Sequence, residues 1–499
     1  MIEVEELPTG DPVPIDVGQR GRDAIVQLLL RTIVMRGVTI VGTVVLARLL
    51  LPSDFGVFAV ILLFSQVLVM VGEAGMAAGL VQQHHEPTPS ELGTAWVSQQ
   101  FIWVPGLAIV WLLTPVIHSF YPTLGPDFEW QLRVTALIIP LIILRSVPAA
   151  MLSRDLRFRA LATIEVIQHF TFYGTSIGLA ISGAGVWSFV IAVVGQTAVG
   201  AVLVNLRWGR RPPLHFDRGI ARRQLGFGAA YQASNIIASS RDAVVPVFGA
   251  LAGGDPATAI GRIGFGFDIG QAAATVDDIL ARVTFPAFSR LQGDARRIAK
   301  VASDLVVVGG LVVAGVQVWL IASAPYLVPE VFGAKWIPAV PAMQLVCLGT
   351  LATVPTGLLR SLVLGQRRSR AALGLALAST VTMVVLFPPL VVLFGIAGGG
   401  LAFVGSALLA LAVSARAVRA VAPFPWFELG RVYVLAALAG VAAWLVAATL
   451  GGRVGLIASG LVFVALDAAL AWLFARRYVE LILSLIRRRG ASGTAPVSP

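Results

Sequence analysis

The chain has 499 residues, of which 57% are hydrophobic and 13% are charged, and its formal net charge is +11. This composition excludes an ordinary soluble protein and predicts an integral membrane protein whose length supplies many spans of about 20 residues each. The single cysteine, Cys347, excludes an internal disulfide, and the scattered histidines give no metal-ligand spacing. Positive-inside topology explains the basic loops, so no nucleic acid partner is implied.

The chain begins with a polar, acidic segment and continues as a series of apolar spans. Residues 1–24 lack the basic start and apolar core of a signal peptide, so we expect a disordered cytoplasmic tail. Fourteen spans follow, each long enough to cross a membrane as a helix. They run at about 25–47, 56–80, 95–117, 132–152, 161–182, 186–206, 225–251, 258–284, 301–323, 338–364, 371–393, 396–415, 430–450 and 454–475.

Basic residues alternate between the loops and so predict the orientation of the spans. The even-numbered connections and the C-terminal tail are rich in arginine, whereas the opposite connections hold Lys335 and Arg453, with Arg48 and Arg262 at span edges. We therefore expect a multi-pass protein with both termini in the cytoplasm. The excess of arginine over lysine, with abundant alanine, glycine and valine, suggests a bacterial source and hence the bacterial inner membrane. Every outer connection is too short for a catalytic domain, which argues against an enzyme.

A weak internal repeat predicts two lobes. The connection LPSDFG at residues 51–56, between the first two spans, resembles GGDP at residues 253–256, between spans seven and eight. The two motifs are offset by about 201 to 205 positions. Six spans separate the copies, and six is even, so the two halves lie parallel. The predicted fold is an all-α polytopic membrane protein with about 14 helices. Its parts are an N-lobe at 25–206, a basic interlobe linker at 207–224, a C-lobe at 225–415, two further spans at 416–475 and a basic cytoplasmic tail at 476–499.

Charged residues interrupt the apolar spans between positions 226 and 291. At mid-bilayer each would cost roughly 3 kcal/mol if it faced lipid, so these residues must face water or one another. Helical spacing places them on two stripes, which we interpret as walls of a water-filled cavity; the alternative is simple bonding between helices. One stripe holds Asp268, Gln271, Thr275, Asp278 and Arg282, the other holds Tyr231, Asn235, Ser239 and Asp242, and Arg241 and Arg262 lie nearby.

The N-lobe carries matching polar faces. Arg36 shares a helix face with threonines, and Glu73 shares one with Gln66. Other charged residues within spans rank lower as substrate contacts: Arg145, Glu165, His169, Arg360 and Asp467. Tryptophans near the predicted span ends indicate interfacial anchors: Trp130, Trp187, Trp208, Trp336 and Trp426.

Several short stretches carry a resemblance to a known family. They are LARLLLPSDFG at 46–56, LSRDLRF at 152–158, GAGVW at 183–187, RD at 241–242, FPAFSRL at 285–291 and FGAKWIPAVP at 332–341. In this order the chain resembles the polysaccharide biosynthesis transporters, the oligosaccharide-flippase branch of the multidrug/oligosaccharidyl-lipid/polysaccharide exporter superfamily. One departure is Gly261-Arg262, where members of the family commonly have Gly-Tyr, and it adds a cation.

The resemblance implies two lobes that alternate between inward-open and outward-open forms and move a polyprenyl-diphosphate-linked oligosaccharide to the outer leaflet. Membrane lipids, a glycan polymerase and other export machinery are the implied partners. The candidate diphosphate and sugar contacts are Arg36, Arg241, Arg262, Arg282, Asn235 and Gln271. The candidate groups for charge balance, or for coupling to H⁺ or Na⁺, are Glu73, Asp242, Asp268 and Asp278. No metal or other cofactor is expected.

Three alternatives stay open at this point. A cation-coupled multidrug antiporter of the same superfamily would favour an acidic, aromatic cavity, which four candidate arginines oppose. A flippase for the peptidoglycan precursor, lipid II, fits the same spans and charges. Static ion pairs, such as Asp278 with Arg282 one helical turn apart, would make the charges structural.

Overall fold

A computed structural model of the protein describes residues 34–73, 76–82, 85–210, 213–226, 239–272, 295–365, 369–419 and 425–491. These residues form helices and connecting turns, with no strand among them. The helices are α1 (34–49), α2 (Pro52–Glu73), α3 (Met76–Gln82), α4 (Pro89–Phe120), α5 (Phe128–Thr135), α6 (Ile138–Arg154), α7 (Phe158–Ile181), α8 (Trp187–Trp208), α9 (218–226), α10 (Val244–Phe248), α11 (Pro256–Gly270), α12 (Ala295–Leu327), α13 (Val340–Gly365), α14 (Ser369–Phe394), α15 (Ile396–Val418), α16 (Trp426–Leu450) and α17 (Gly452–Ala491).

In the described residues, the helices coincide with the apolar spans, whereas much of the predicted spans 225–251 and 258–284 lies outside the described residues. In the described part of the chain, nine segments are long and apolar enough to cross a membrane, and Pro52–Val67 is a shorter apolar helix. Three of the nine join neighbouring helices: α5 with α6, α12 with the π-helical turn after it, and α13 with the 3-10 helix at Ala334–Ala339 before it. The all-α polytopic fold is confirmed, and the helices are compatible with fourteen spans.

Local sequence signals set several helix boundaries. At the start of α4, the Thr88 side chain accepts a hydrogen bond from the Glu91 N–H, and Glu91 accepts one from the Thr88 N–H. This reciprocal capping satisfies two backbone donors that the first turn leaves unpaired. At α11 the Asp255 carboxylate accepts from the Thr258 N–H, and Pro256 follows it as the first helical residue.

A glycine crossing brings α2 of one lobe against α11 of the other. A Cβ atom placed on Gly56 would lie 1.8 Å from the Ala257 carbonyl oxygen, and one on Gly261 would lie 1.8 Å from the Pro52 carbonyl oxygen. The contact is reciprocal, because Ala257 and Gly261 lie 205 positions after Pro52 and Gly56. Only residues without a side chain let two helix backbones approach so closely. The weak sequence repeat thus corresponds to a symmetric contact between equivalent helix ends.

The packing between α2 and α11 loosens along their length. We call the end that holds residues 46–56, 253–261 and 328–340 the corner end. Starting from this end, the first exposed positions are Gln66 on α2 and Asp268 on α11. One buried cluster joins the two helices before those positions and includes Val57, Val60, Ile61, Ile260, Ile263 and Phe267. The lobes are therefore packed together at the corner end and expose polar side chains farther along.

The predicted interlobe linker contacts the start of α4. The Asp217 backbone N–H donates to the Thr94 hydroxyl over 3.0 Å, and the Gln224 side chain donates to the Glu91 carbonyl over 3.2 Å. The Asp217 carboxylate also accepts a bond from the Ile220 N–H at the start of α9, and this bond lowers the pKa of the Asp217 carboxyl below its usual value. The exact boundaries of linker and lobes stay a prediction.

The glycine crossing predicts that Gly56→Ala and Gly261→Ala each destabilise the protein. The added methyl group meets a backbone carbonyl that cannot move aside alone, and overpacking of this kind costs about 1–3 kcal/mol. We expect the thermal unfolding midpoint of the purified protein to fall by several degrees, as measured by intrinsic fluorescence.

Gly178→Ala is the matched control, since a Cβ at this helical position of α7 has nothing within 4 Å. Alanine favours a helix over glycine by about 1 kcal/mol, so this variant should be at least as stable as the wild type. Equal midpoints for all three variants would show that α2 and α11 are not held in close contact.

Candidate functional site

Polar bonds to backbone carbonyls join the lobes at the corner end. The Lys335 ammonium, from the connection before α13, donates to the carbonyls of Arg48 over 2.9 Å and Leu50 over 2.6 Å at the end of α1. In return, the Arg48 guanidinium donates to the carbonyls of Val331, over 2.8 Å, and Glu330. Cations are favoured at a helix C-terminus, where several carbonyls lack partners within the helix. We refer to these bonds as the corner contact.

Trp336 fills the space behind the corner contact. Its side chain is fully buried, and its indole N–H donates to the Ala47 carbonyl over 2.9 Å. The indole stacks on Phe265 of α11, with ring centroids 4.3 Å apart, and meets Phe55 of α2 edge-on at 5.1 Å. The prediction that Trp336 is an interfacial anchor is therefore wrong. Trp336 is a buried bridge between helices of the two lobes.

The polar residues of α11 occupy its positions that are not buried. Asp268 is exposed and Gln271 is partly exposed, whereas most of the helix between Ala257 and Phe267 is buried. Arg262 is partly exposed, yet its Nε atom is buried without a hydrogen-bond partner among the described residues. A buried guanidinium N–H without a partner is costly, so the Nε–H of Arg262 is an unsatisfied donor in this state of the protein.

Arg241 lies in the turn before α10 and lines a cavity in the C-lobe. Its guanidinium carbon lies 4.8 Å from the centre of the Phe403 ring, a cation–π contact. The cavity has a volume of about 100 Å³ and is also lined by Arg360 of α13. The structure therefore brings Arg241 together with a residue that the sequence ranked lower, while Asp242 is exposed beside it.

The other predicted residues are partly outside the described structure. Arg36 is exposed on α1. Asn235, Asp278 and Arg282 lie outside the described residues, as does the side chain of Glu73 at the end of α2. The grouping of all ten candidates around one cavity stays a prediction.

Sequence reasoning missed Arg48, Lys335 and Trp336 as functional residues. Arg48 and Lys335 entered only as charges that test the topology. The family resemblance could have identified these residues. Arg48 lies in the stretch 46–56, Lys335 and Trp336 lie in the stretch 332–341, and both stretches carry the resemblance. The structure shows that these two stretches contact each other.

The known sequences that match this chain carry names from polysaccharide biosynthesis. A family model described as "Polysaccharide biosynthesis protein" matches residues 45–341. The chain is 27% identical to the succinoglycan biosynthesis transport protein ExoT of Rhizobium meliloti (strain 1021), over 62% of each chain. It is 25% identical to the lipopolysaccharide biosynthesis protein WzxC of Escherichia coli (strain K12), over 74% of each chain. The match to ExoT thus spans less than two thirds of that protein's length.

Two solved structures share the fold. The lipid II flippase MurJ in an inward closed conformation superposes with a TM-score of 0.74 at 12% identity, covering 91% of this chain and all of MurJ. An inward-facing multidrug resistance transporter of the MATE family superposes with a TM-score of 0.55 at 13% identity, covering 80% of this chain and 94% of that one. At these identities the likeness establishes the fold alone.

The corner contact predicts that Lys335→Met shifts the protein toward a state that is open at the corner end. The change keeps the aliphatic stem but removes both bonds to the end of α1, and a bond from a charged donor contributes about 1.5–3 kcal/mol. Since 1.4 kcal/mol is a tenfold change in an equilibrium constant, a minor open state should become measurable.

The measurement is a distance distribution between spin labels at Leu51 and Ile337, both exposed on opposite lobes, in a background that lacks Cys347, the single cysteine. Lys335→Met should add a longer-distance population. Lys300→Met, at the only other lysine, which is exposed on α12, is the control and should leave the distribution unchanged. Identical distributions for the two variants would show that Lys335 does not hold the lobes together.

Proposed function

Because this chain belongs to the polysaccharide biosynthesis protein family, we propose that it is a flippase for cell-surface polysaccharide biosynthesis. Its substrate is a polyprenyl-diphosphate-linked oligosaccharide, which it moves from the inner to the outer leaflet. The protein works by alternating access and is a transporter rather than an enzyme. The named relatives that act in succinoglycan and lipopolysaccharide biosynthesis support this proposal.

The observation that carries the proposal is the asymmetric packing of the two lobes. Glycines bring α2 and α11 together at the corner end, and the polar residues Gln66 and Asp268 become exposed farther along the same helices. A polar space closed at one end suits a diphosphate and sugars, which lose hydration in hydrocarbon. The polyprenyl chain needs no such space, because it can stay in the bilayer between the lobes.

The cations of the site fit the diphosphate part of this substrate. Arginine offers a planar fork of donors that matches phosphate oxygens two at a time. Arg262 has a buried donor without a partner, and Arg241 lines a cavity. In the proposal these two residues, with Arg36 and Arg282, contact the diphosphate in turn, and Asn235 and Gln271 contact the sugars.

The orientation of the bundle completes the proposal. Positive-inside alternation puts the corner end at the outer face of the bacterial inner membrane and both termini in the cytoplasm. The described state is then the one that is closed to the outside. Opening the outer face requires that the corner contact breaks, which involves the Lys335 and Arg48 bonds and the α2–α11 crossing.

Acidic residues provide charge balance in this scheme. Asp268 is exposed in the part of α11 away from the corner end, and Asp242 is exposed next to Arg241. Together with Glu73 and Asp278, they offset the arginines between transport cycles or take up a coupling H⁺ or Na⁺. A glycan polymerase receives the flipped substrate at the outer face.

The two transport alternatives are less well supported. Similarity to MurJ and to the MATE transporter concerns the fold, which both alternatives share with the main proposal. The sequence relatives instead carry names from polysaccharide biosynthesis. The two candidate arginines of the C-lobe that the structure describes, Arg241 and Arg262, also oppose binding of cationic drugs.

The test is the sidedness of lipid-linked oligosaccharide in cells depleted of the protein. A membrane-impermeant glycan-modifying enzyme is added to spheroplasts and to inverted vesicles. Depletion should leave the glycan-lipid accessible only in inverted vesicles. An unchanged distribution, with retention of cationic dyes, would instead favour the drug antiporter.

Two variants refine this test. Arg241→Ala and Arg262→Ala should reach normal protein levels but reduce glycan export about tenfold or more, since loss of one charge-assisted bond to phosphate costs about 1.5–3 kcal/mol. Arg476→Ala is the matched control, because Arg476 is exposed and pairs with Glu480 at the end of the bundle away from the corner. Full export by both Arg241→Ala and Arg262→Ala would remove these two residues from the substrate path.

A further inference from the structure

The cavity that holds Arg241 lies inside the C-lobe. Four parts of the lobe form its wall: the turn before α10, the middle of α13, the first half of α14 and the middle of α15. Its volume of about 100 Å³ suffices for a few water molecules or one small anion. We call it the two-arginine pocket. Its lining residues are Arg241, Thr353, Thr356, Gly357, Arg360, Leu375, Ala376, Ser379, Ser406, Ala407 and Ala410.

The contribution of α13 is a single polar stripe on a buried helix. Between residues 351 and 363, only Thr353, Thr356 and Arg360 are not buried. Their spacing of three and four residues puts them on one face of the helix. All three line the two-arginine pocket. The only open face of this segment is therefore polar and directed at the same space as Arg241.

The charges of the pocket have one sign. Both cationic side chains line it, and none of the described lining residues is acidic. Neither guanidinium donates a hydrogen bond or forms an ion pair within the described part of the chain, and Arg241 contacts the face of the Phe403 ring. Arg360 repels Arg241, and the exposed Asp242 beside Arg241 attracts it without lining the pocket. An anion between the two guanidinium groups removes their repulsion.

The hydroxyl groups of the pocket are additional donors. At present each one donates to a carbonyl in its own helix: Thr353 to Thr350, Thr356 to Ala352, Ser379 to Ala376 and Ser406 to Phe403, over 2.7 to 2.9 Å. Such local bonds are made three or four residues back along the helix and break without any change in the backbone. Rotation of a hydroxyl toward the pocket offers its proton to an anion instead.

We propose that the two-arginine pocket binds one phosphate-class oxyanion between Arg241 and Arg360. The planar guanidinium groups hold its oxygens, and hydroxyls of α13, α14 and α15 complete the shell. The anion is either the diphosphate headgroup of the lipid substrate or free inorganic phosphate. The first source rests on the proposed function, and the second does not. The same charges exclude a coupling cation from this pocket.

The experiment measures anion binding to the purified full-length protein in nanodiscs. Inorganic diphosphate and inorganic phosphate are titrated at constant ionic strength against chloride, and binding is followed by the shift in thermal unfolding midpoint. We expect diphosphate to raise the midpoint of the wild type. Arg241→Ala and Arg360→Ala should each raise the apparent dissociation constant at least tenfold, and Arg360→Lys should raise it less. Arg476→Ala, outside the pocket, should bind as the wild type does.

Two variants that keep both arginines test anion binding in proteins that should fold as the wild type does. Thr356→Val and Ser379→Ala remove one hydroxyl each and should weaken binding severalfold, while the unfolding midpoint without anion stays near that of the wild type. Absence of any midpoint shift in the wild type would overturn the proposal. Binding that survives both Arg360→Ala and Arg241→Ala would overturn it as well.

A competition arm identifies the source of the anion. Polyprenyl diphosphate in the nanodisc should displace inorganic diphosphate if the lipid headgroup occupies the pocket. If it does not compete, the pocket binds the free anion, and the proposal still holds. Since the binding assay needs no export, an unchanged glycan sidedness in depleted cells would overturn the proposed function without affecting this result.

Discussion

The close approach of α2 and α11 at two glycines is the constraint on which the rest of the structure depends. At Gly56 and Gly261 the backbones meet with no room for a methyl group, so the two lobes have a fixed point of contact at one end. Farther along the two helices, exposed positions begin at Gln66 and Asp268. Both closure at the corner end and the polar space beyond it follow from one crossing.

The bonds around that crossing suit a contact that must open and reform. Lys335 and Arg48 each donate to backbone carbonyls of the opposite lobe. Carbonyls at a helix end are available to water when the partner leaves, so opening exposes no unsatisfied charge to the apolar interior. Trp336 adds apolar contact area through Phe55 and Phe265. The corner contact therefore combines tight fit with polar groups that water can replace.

The sequence predicted the helices well because the bilayer itself imposes the signal. A span must be apolar and about 20 residues long, so the positions of the spans needed no tertiary information. The corner motif predicted an offset of about 201 to 205 residues, and the contact between Gly56 and Gly261 corresponds to an offset of 205. In contrast, the role of Lys335 depends on the distance between two loops that are almost 290 residues apart in the chain. A tryptophan near a span end has the same sequence signature whether it faces headgroups or, like Trp336, a protein interior.

Arg360 is a second residue whose role could not be predicted from the sequence alone. Its spacing from Thr353 and Thr356 was present in the sequence, but many polar residues in the spans share such spacing. Burial distinguishes this stripe, because every other residue from 351 to 363 is covered by neighbouring helices. A cation that a membrane protein keeps at the only open face of a helix needs water, an acid or an anion beside it. No described lining residue is acidic, and Asp242, which attracts the neighbouring Arg241, is exposed and does not line the pocket. Two arginines on one space therefore favour an anion there over a coupling cation.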